Sequence, residues 1–436
     1  MSGAAGQARR PASWLAIGAL FALIASVRIG MVLAFAPGFP FFDEWDGVIT
    51  GMAQPLRHGQ FDPAYLLASH NGHPLLWTKL ISLGFLWANG LRFDNLPVCV
   101  FNQIVYAFGC ALLAWSVAVR LGSERGAFLL AALLMIVLPF DWENITMGWG
   151  NPYALLSFFS VGLIVACVTA QATLLGGLGI VMLGGAAAFS LGSGLVAPLI
   201  GAAVVLWRAR IGEIRPIRAA VVAAFLIGWA WIAFAVGRTT HVTGQDAAEG
   251  LVQLAQVALL LLCWLPVWVQ LRRYLDGERN RFDLAILCVA LWAFVQILAM
   301  ILERPRYFRL WLPISRYMDI IPVGLFAVMA SLCRLARSRH GLPFALPATF
   351  ARGALAVVAA GLVVASPLAI RWQLRWAEFH RDQARVLRAY LETGDTRVLS
   401  GAPPSSLAYP SWEGLKKLLD EPDTPAIIGA ALNRSD

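Results

Sequence analysis

The stretch WLAIGALFALIASVRIGMVLAFAPGFPFFDEWD, residues 14–46, decides how the whole chain is expected to fold. Its first part, from Trp14 to Ala36, is an apolar run about as long as the roughly 20 residues with which a helix crosses a bilayer. Directly after this run, aromatic residues surround three carboxylates. The stretch therefore predicts a membrane-spanning helix that leaves the bilayer into an acidic loop.

The rest of the chain repeats the apolar pattern. Hydrophobic residues make up 59% of the sequence and charged residues 14%, against about a quarter charged in a soluble domain. The mean hydropathy is +0.69. We therefore predict an all-α polytopic protein with about eleven transmembrane helices. Further long apolar runs are Val98–Val119, Tyr153–Ala170, Val221–Val236, Leu251–Val269, Leu284–Ile301 and Gly353–Ile370.

The positions of the arginines predict the topology. If Leu75–Gly90 lies in the outer interface without crossing, most loop arginines fall on one side, which is then the cytoplasmic side. This choice places the amino terminus in the cytoplasm of a multi-pass cell (inner) membrane protein. It predicts a transmembrane module, 1–370, with a first outer loop at 37–97, and a small extracytoplasmic carboxy-terminal region, 371–436. Within that region, 372–391 has helical periodicity, with Leu374, Ala377, Ala384, Leu387 and Leu391 on one face.

The formal net charge of +9 does not indicate a nucleic-acid partner, because the basic residues cluster between the apolar runs. All six cysteines fall inside apolar segments and are predicted to be small packing residues. The glycines around 174–207 predict close helix packing. Within them, Gly192-Ser193-Gly194 is too short a motif to indicate phosphate binding.

Asp43, Glu44 and Asp46 form the sharpest candidate site. Carboxylates this close to the membrane are costly, and mutual repulsion with partial desolvation raises at least one pKa. Such a group suits a general base or a set of ligands for a divalent cation, Mg²⁺ or Mn²⁺. The alternative is that Asp43 only caps a helix that begins near Trp45.

A second acidic segment, Asp141-Trp142-Glu143, is predicted to emerge on the same face and to converge with the first. Its alternative is an ordinary interfacial loop in which Trp142 and Trp149 are membrane anchors.

The first outer loop also carries His70, His73 and Lys79, which with Asp46 are candidate substrate-binding residues. Either histidine could orient a hydroxylated ligand or complete a metal site, for which Asp43, Glu143 and His73 are the candidate ligands. The alternative is a turn fixed by Gly72 and Pro74.

A basic and aromatic cluster follows later in the chain, on the predicted outer side. Guanidinium groups match phosphate oxygens in a bidentate manner, and aromatic rings suit an isoprenoid or acyl chain. The alternative is that the arginines extend to generic lipid headgroups. The candidate substrate-binding residues of this cluster are Arg304, Arg306, Tyr307, Arg309, Arg316 and Tyr317.

Asp43-Glu44, the stretch from Trp45 to Gly59, and His73-Pro74 follow one another in an order that resembles the GT-C class of integral membrane glycosyltransferases. The resemblance is to the branch of protein O-mannosyltransferases and aminoarabinose lipid A transferases. It implies that Asp43 is the base that activates the acceptor hydroxyl and that Asp141 or Glu143 is the second acidic element. It also implies that the arginines bind a lipid phosphate. Where that branch has a lysine before the proline, this chain has His73.

These features together predict an inverting glycosyltransferase of the extracytoplasmic face. Its donor would be a sugar on a polyprenyl-phosphate carrier in the lipid membrane, and its acceptor a glycan, lipid or protein. The competing hypotheses are a transporter or flippase for a lipid-linked or anionic solute, and a noncatalytic assembly factor for envelope polymers. A transporter usually needs ionisable groups near the bilayer midplane, where Arg28 is the main candidate here.

Overall fold

A computed structural model describes residues 10–171, 173–237, 247–277, 280–303, 315–336 and 348–433. The described chain is almost entirely helical, with one two-stranded hairpin. The helices are α1 (Arg10–Phe35), α2 (Gln54–Arg57), α3 (Leu76–Ala88), α4 (Asn95–Ala118), α5 (Arg125–Val137), α6 (Trp142–Thr146), α7 (Pro152–Thr169), α8 (Leu174–Ala188), α9 (Val196–Arg210), α10 (Pro216–Val236), α11 (Ala247–Cys263), α12 (Leu265–Leu275), α13 (Arg281–Glu303), α14 (Ile321–Leu335), α15 (Ala348–Thr393), α16 (Thr396–Ser400), α17 (Trp412–Leu419) and α18 (Thr424–Leu432).

Shorter elements lie between these helices. A π-helix, Trp45–Ala53, leads directly into α2. The hairpin pairs β1 (Ser69–His70) with β2 (His73–Pro74) in antiparallel register. The 3-10 turns are Pro63–Leu66, Gly148–Gly150, Gly192–Leu195, Ser315–Asp319 and Pro404–Ser406.

Seven helices of the described chain are long and apolar enough to cross a membrane, and a bent pair makes up to eight. The apolar runs singled out in the sequence coincide with helices to within a residue or two at their ends, although the run at 251–269 is divided between α11 and α12, and this confirms the all-α prediction. The predicted number of about eleven crossings is not confirmed, because α5, α8 and α14 have only 13 to 15 residues. The seven are Trp14–Phe35, Asn95–Ala118, Gly148–Thr169, Gly192–Arg210, Pro216–Val236, Arg281–Leu302 and Thr349–Thr393.

The bent pair departs from the single run expected at 251–269. Val252–Cys263 and Leu265–Leu275 meet at an angle of 51°. Pro266 lies at the start of α12. In a continuous helix its ring would clash with the carbonyl group of the preceding turn, and its nitrogen has no proton to donate to that carbonyl. The proline therefore accounts for the break.

The described residues pack into two compact units. One, called the site unit below, comprises the described parts of Met31–Asn102, Asp141–Thr243 and Leu368–Asp436. The second unit comprises those of Met1–Gly30, Gln103–Phe140 and Gly244–Pro367. The predicted division at residue 370 falls inside α15, close to the point where the chain re-enters the site unit.

Small residues allow the helices of the site unit to pack closely. A Cβ on Gly184 of α8 would lie 2.3 Å from Cδ2 of Leu226 on α10. The glycines at this point therefore serve close helix packing, as predicted.

The long helix α15 carries the periodic face predicted at 372–391 only in part. Ala384 and Leu387 are buried, whereas Leu374 is exposed, as are Ile370 and Trp372. The packed face is therefore offset from the predicted one and includes Gln373 and His380, which are also buried. The helix α3 has 13 residues, about 20 Å of length, which is shorter than a hydrocarbon core of about 30 Å.

Candidate active site

The acidic loop starts with a strained residue. Phe42 has a φ of +50°, a left-handed conformation that is rare for a bulky side chain. Its backbone N–H donates to the carbonyl oxygen of Ala408 over 2.9 Å, which ties the loop to the carboxy-terminal region. Backbone strain of this kind concentrates at functional sites, where the surrounding structure maintains it. Here it lies immediately before Asp43.

Glu44 is buried, and its carboxyl group is bound to backbone. Its two oxygens accept hydrogen bonds from the N–H groups of Phe41 at 3.1 Å and Trp149 at 3.2 Å. Burial raises the pKa of Glu44 to about 8, and the charge of Asp43 adds to this, while the backbone donors oppose it. Glu44 occupies the N-cap position of the π-helix but makes no side-chain cap.

Asp43 is half-buried and faces the hairpin. Its Oδ1 accepts a hydrogen bond from Nδ2 of Asn71 at 3.3 Å. Asn71 and Gly72 both have positive φ, at +48° and +79°, which is the geometry of a type I′ hairpin turn. The turn expected from Gly72 is therefore present, and it brings Asn71 to the acidic loop.

His70 lies beside the same carboxylates. Burial lowers its pKa and the charge of Lys79 lowers it further, while Asp43 and Asp46 oppose the shift. Its ring lies edge-on to that of Trp149, with centroids 5.4 Å apart. A neutral imidazole at this position could accept or donate a hydrogen bond to a hydroxylated ligand.

Asp46 is exposed and is held by the carboxy-terminal region. The hydroxyl of Tyr409 lies 3.1 Å from both of its carboxylate oxygens. Tyr409 belongs to the site and was missed in the sequence analysis, because nothing local in Ala408-Tyr409-Pro410 indicates a partner 363 residues away.

His73 reaches Gly192 of the glycine-rich stretch. A Cβ at Gly192 would lie 2.5 Å from Nδ1 of His73. The imidazole of His73 therefore packs directly against the Gly192–Leu195 turn, and only a residue without a side chain fits there. The sequence analysis did not foresee this contact.

The ammonium group of Lys79 is buried and bound to backbone carbonyl oxygens. The side chain is fully buried, donates to the carbonyl oxygens of Tyr65 and Ala68 at 2.7 Å each, and lies 4.1 Å from the centroid of the Tyr65 ring. Burial lowers its pKa to about 8. Lys79 thus fixes the segment that leads to His70.

The second acidic segment is buried in the site unit. Asp141 and Glu143 are both nearly inaccessible, at 3% and 7% exposure. Trp149 is also buried and contacts Glu44 and His70, so the alternative in which it anchors the loop in the membrane interface is wrong.

An aromatic cluster joins this segment to the acidic loop. The ring centroid of Trp376 lies 4.6 Å from that of Trp142 and 6.1 Å from that of Phe42. Trp372 stacks on Trp142 at 6.2 Å with an interplanar angle of 13°. The two predicted acidic sites are therefore linked through side chains of α15, whose part the sequence analysis did not foresee.

Only two residues of the predicted basic cluster lie in the part of the chain that the structure describes. Arg304, Arg306, Tyr307 and Arg309 lie outside the described residues. Arg316 is half-buried and Tyr317 buried, both in the 3-10 turn Ser315–Asp319 of the second unit.

A cavity of about 270 Å³ lies behind Glu44, between α3 and the start of α4. Its walls are mainly apolar, with Val48, Phe85 and Val98 among them, and Arg92 and Asn89 contribute polar groups. Within the described ranges, no group of three or more His, Cys, Asp or Glu side chains is arranged to hold a metal ion. Asp43, Glu143 and His73 thus do not form the metal site considered above.

No family model matches the chain, and no curated protein matches it. Among solved structures, the cryo-EM structure of arabinosyltransferase EmbB from Mycobacterium smegmatis is similar, with 14% identity and a TM-score of 0.40. The similarity covers 85% of this chain and 40% of EmbB, so the chain spans well under half of that protein. A likeness of this strength assigns neither a family nor an activity to the chain.

Proposed function

We propose that the chain is a membrane glycosyltransferase of the GT-C class. It transfers a sugar from a polyprenyl-phosphate carrier to an acceptor on the extracytoplasmic face, and Asp43 is its base. The observation that carries this proposal is the contrast between neighbouring carboxyl groups. Glu44 is buried, bound to two backbone N–H groups and raised in pKa, whereas Asp43 is half-buried among polar side chains. Two neighbouring carboxyl groups in such different surroundings are typical of acid–base sites.

The proposed reaction is an in-line displacement at the anomeric carbon. Asp43 accepts the proton of the acceptor hydroxyl while that oxygen attacks the anomeric carbon. The new carbon–oxygen bond forms as the bond to the phosphate breaks, and the polyprenyl phosphate leaves with the electron pair. In-line attack inverts the anomeric centre. Asn71 and His70 orient Asp43 and the acceptor.

The remaining candidates have supporting roles in this proposal. Guanidinium groups among Arg304, Arg306, Arg309 and Arg316, with Tyr307 and Tyr317, bind the departing phosphate. Asp141 and Glu143 form the second acidic element behind Trp142. Glu44 and Lys79 hold the loops rather than contact substrate, because their polar atoms contact backbone.

The transporter hypothesis receives no such support from Arg28. This residue of α1 is buried in the second unit, where Nε donates to Gln103 at 2.6 Å and Nη1 to the carbonyl oxygen of Ile136 at 2.8 Å. Its guanidinium lies 4.2 Å from the centroid of the Tyr106 ring. These contacts give the charge a structural role in packing α1.

The direct test compares two aspartates of the first outer loop. Asp43→Asn keeps an oxygen that can accept from Asn71 but loses basicity, so transfer should fall by about 10²–10⁴-fold. The control is Asp62→Asn, because Asp62 is an exposed cap that accepts from the Ala64 N–H, a role asparagine also fills. Transfer would be measured in liposomes from a panel of labelled polyprenyl-phosphate sugars. Equal activity of Asp43→Asn and wild type would remove Asp43 as the base.

A further inference from the structure

We propose that Tyr409, from the carboxy-terminal region, is a positioning residue of the acidic site that holds Asp46 in place for the acceptor. This inference rests on the proposed function. Its geometric basis is the hydroxyl of Tyr409, which lies 3.1 Å from each carboxylate oxygen of Asp46.

The loop that carries Tyr409 is fixed at several independent points. The carbonyl oxygen of Ala408 accepts the N–H of Phe42 at 2.9 Å. Gln383 of α15 donates from Nε2 to the carbonyl oxygens of Ser405 and Leu407, at 3.2 Å each. Ala408 is fully buried. The loop is therefore an ordered part of the site unit, held by hydrogen bonds to α15 and to Phe42, the residue before Asp43.

The ring of Tyr409 has little freedom. A Cβ on Gly414 would lie 2.5 Å from its Cε1, so the ring packs directly on the first turn of α17. That turn is itself capped, because Ser411 accepts the Gly414 N–H at 3.1 Å. The phenol ring thus packs against α17, and its hydroxyl group points toward Asp46 in the acidic loop.

The hydroxyl keeps its proton next to two negative charges. Burial raises the pKa of Tyr409, and the charges of Asp46 and Asp43 raise it further. Tyr409 is therefore a hydrogen-bond donor at physiological pH, and both carboxylates act on the same hydroxyl.

Asp46 is the group through which Tyr409 acts. It lies one helical turn beyond Asp43, is exposed, and can accept hydrogen bonds from hydroxyl groups of an acceptor. An unheld exposed carboxylate would rotate freely, and ordering it would cost side-chain entropy at each binding event. Tyr409 removes that cost and places a fixed negative charge beside the base.

The experiment uses two tyrosines of the same region. Tyr409→Phe removes only the hydroxyl, whereas Tyr390→Phe removes a hydroxyl that donates to Asp420 within the carboxy-terminal region. We expect Tyr409→Phe to raise the acceptor KM about tenfold or more, as for loss of a hydrogen bond to a charged group, and to leave the donor KM unchanged. Tyr390→Phe should change neither KM.

Two further measurements separate positioning from general damage. Combining Tyr409→Phe with Asp46→Asn should give no more loss than the larger single effect, since both act on one contact. Hydrogen exchange at residues 43–47 should rise in Tyr409→Phe and not in Tyr390→Phe.

The inference fails if Tyr409→Phe leaves the acceptor KM unchanged, if the two losses multiply, or if donor and acceptor KM rise equally. A wild-type protein that transfers sugar from none of the donors would instead refute the proposed function, and with it the acceptor role of Tyr409.

Discussion

The carboxyl group of Glu44 accepts a hydrogen bond of 3.2 Å from the backbone N–H of Trp149, 105 residues further along the chain. This contact joins the loop after the first span to the segment that follows Asp141. Because Glu44 is almost fully buried, the contact is shielded from water and is correspondingly strong. It makes the geometry of the loop around Asp43 depend on the backbone at Trp149.

Glu44 should make the stability of the protein depend on pH. Its pKa is raised from 4.5 to about 8, so between these values the folded protein holds a proton that the unfolded chain has released. Stability should therefore fall as the pH rises through this window, by up to about 1.4 kcal/mol per pH unit. Glu44→Gln should flatten this dependence, as measured by the apparent unfolding temperature in detergent from pH 5 to 8.

Glu378→Gln is the matched control, because Glu378 is an exposed carboxylate on α15. It should leave the wild-type pH dependence in place. Parallel curves for wild type and Glu44→Gln would show that the buried carboxyl does not hold this proton.

Lys79→Met should loosen the segment that leads to His70. Methionine keeps the length of the side chain but leaves the carbonyl oxygens of Tyr65 and Ala68 without their buried donor, at a cost of about 1–3 kcal/mol. We expect a lower unfolding temperature and faster proteolysis within residues 60–75. Lys417→Met, at an exposed position of α17, should show neither change. Equal behaviour of the two variants would argue against the structural role of Lys79.

Gly192→Ala should displace His73. The added Cβ would lie 2.5 Å from Nδ1 of the histidine, so the hairpin or the 3-10 turn must move. Transfer activity should therefore fall, and the unfolding temperature should fall only slightly. At Gly179 of α8 an added Cβ meets nothing within 4 Å, and alanine there should be neutral or stabilising by up to about 1 kcal/mol. A fully active Gly192→Ala protein would show that the close contact between Gly192 and His73 is not needed for transfer.

The predicted topology can be tested by labelling single cysteines in a protein whose native cysteines have been replaced. Gln60→Cys, at an exposed position of the first outer loop, should react with an impermeant maleimide in intact cells. Arg272→Cys, whose native side chain is 87% exposed at the end of α12, should react only after permeabilisation. Reaction of both in intact cells would contradict the assignment of sides.

Much of the fold follows from local sequence patterns. The apolar runs predicted helices because their length and hydrophobicity are local properties. The turn considered at Gly72 and Pro74 is present, with Gly72 at positive φ, which glycine adopts easily. The break at Pro266 could also be read from sequence, since proline within an apolar run ends a helical turn.

The acidic site was predictable only in part. The unusual position of Asp43, Glu44 and Asp46 beside a span is visible in the sequence, but the different surroundings of Glu44 and Asp43 depend on Trp149 and Asn71. Tyr409 and Trp376 could not be found from spacing. Their contacts with the loop depend on how the end of the chain folds back, which no local periodicity records.

The bond between Phe42 and Ala408 has a consequence for the order of biosynthesis. Because a chain is synthesised from its amino terminus, the acidic loop leaves the ribosome before its partners Ala408 and Tyr409, and Tyr409 lies 363 residues beyond Asp46. The strained backbone at Phe42 thus acquires its stabilising contact only after Ala408 has been synthesised. The acidic site of a nascent chain therefore stays incomplete until the segment that carries Ala408 and Tyr409 has folded back onto it.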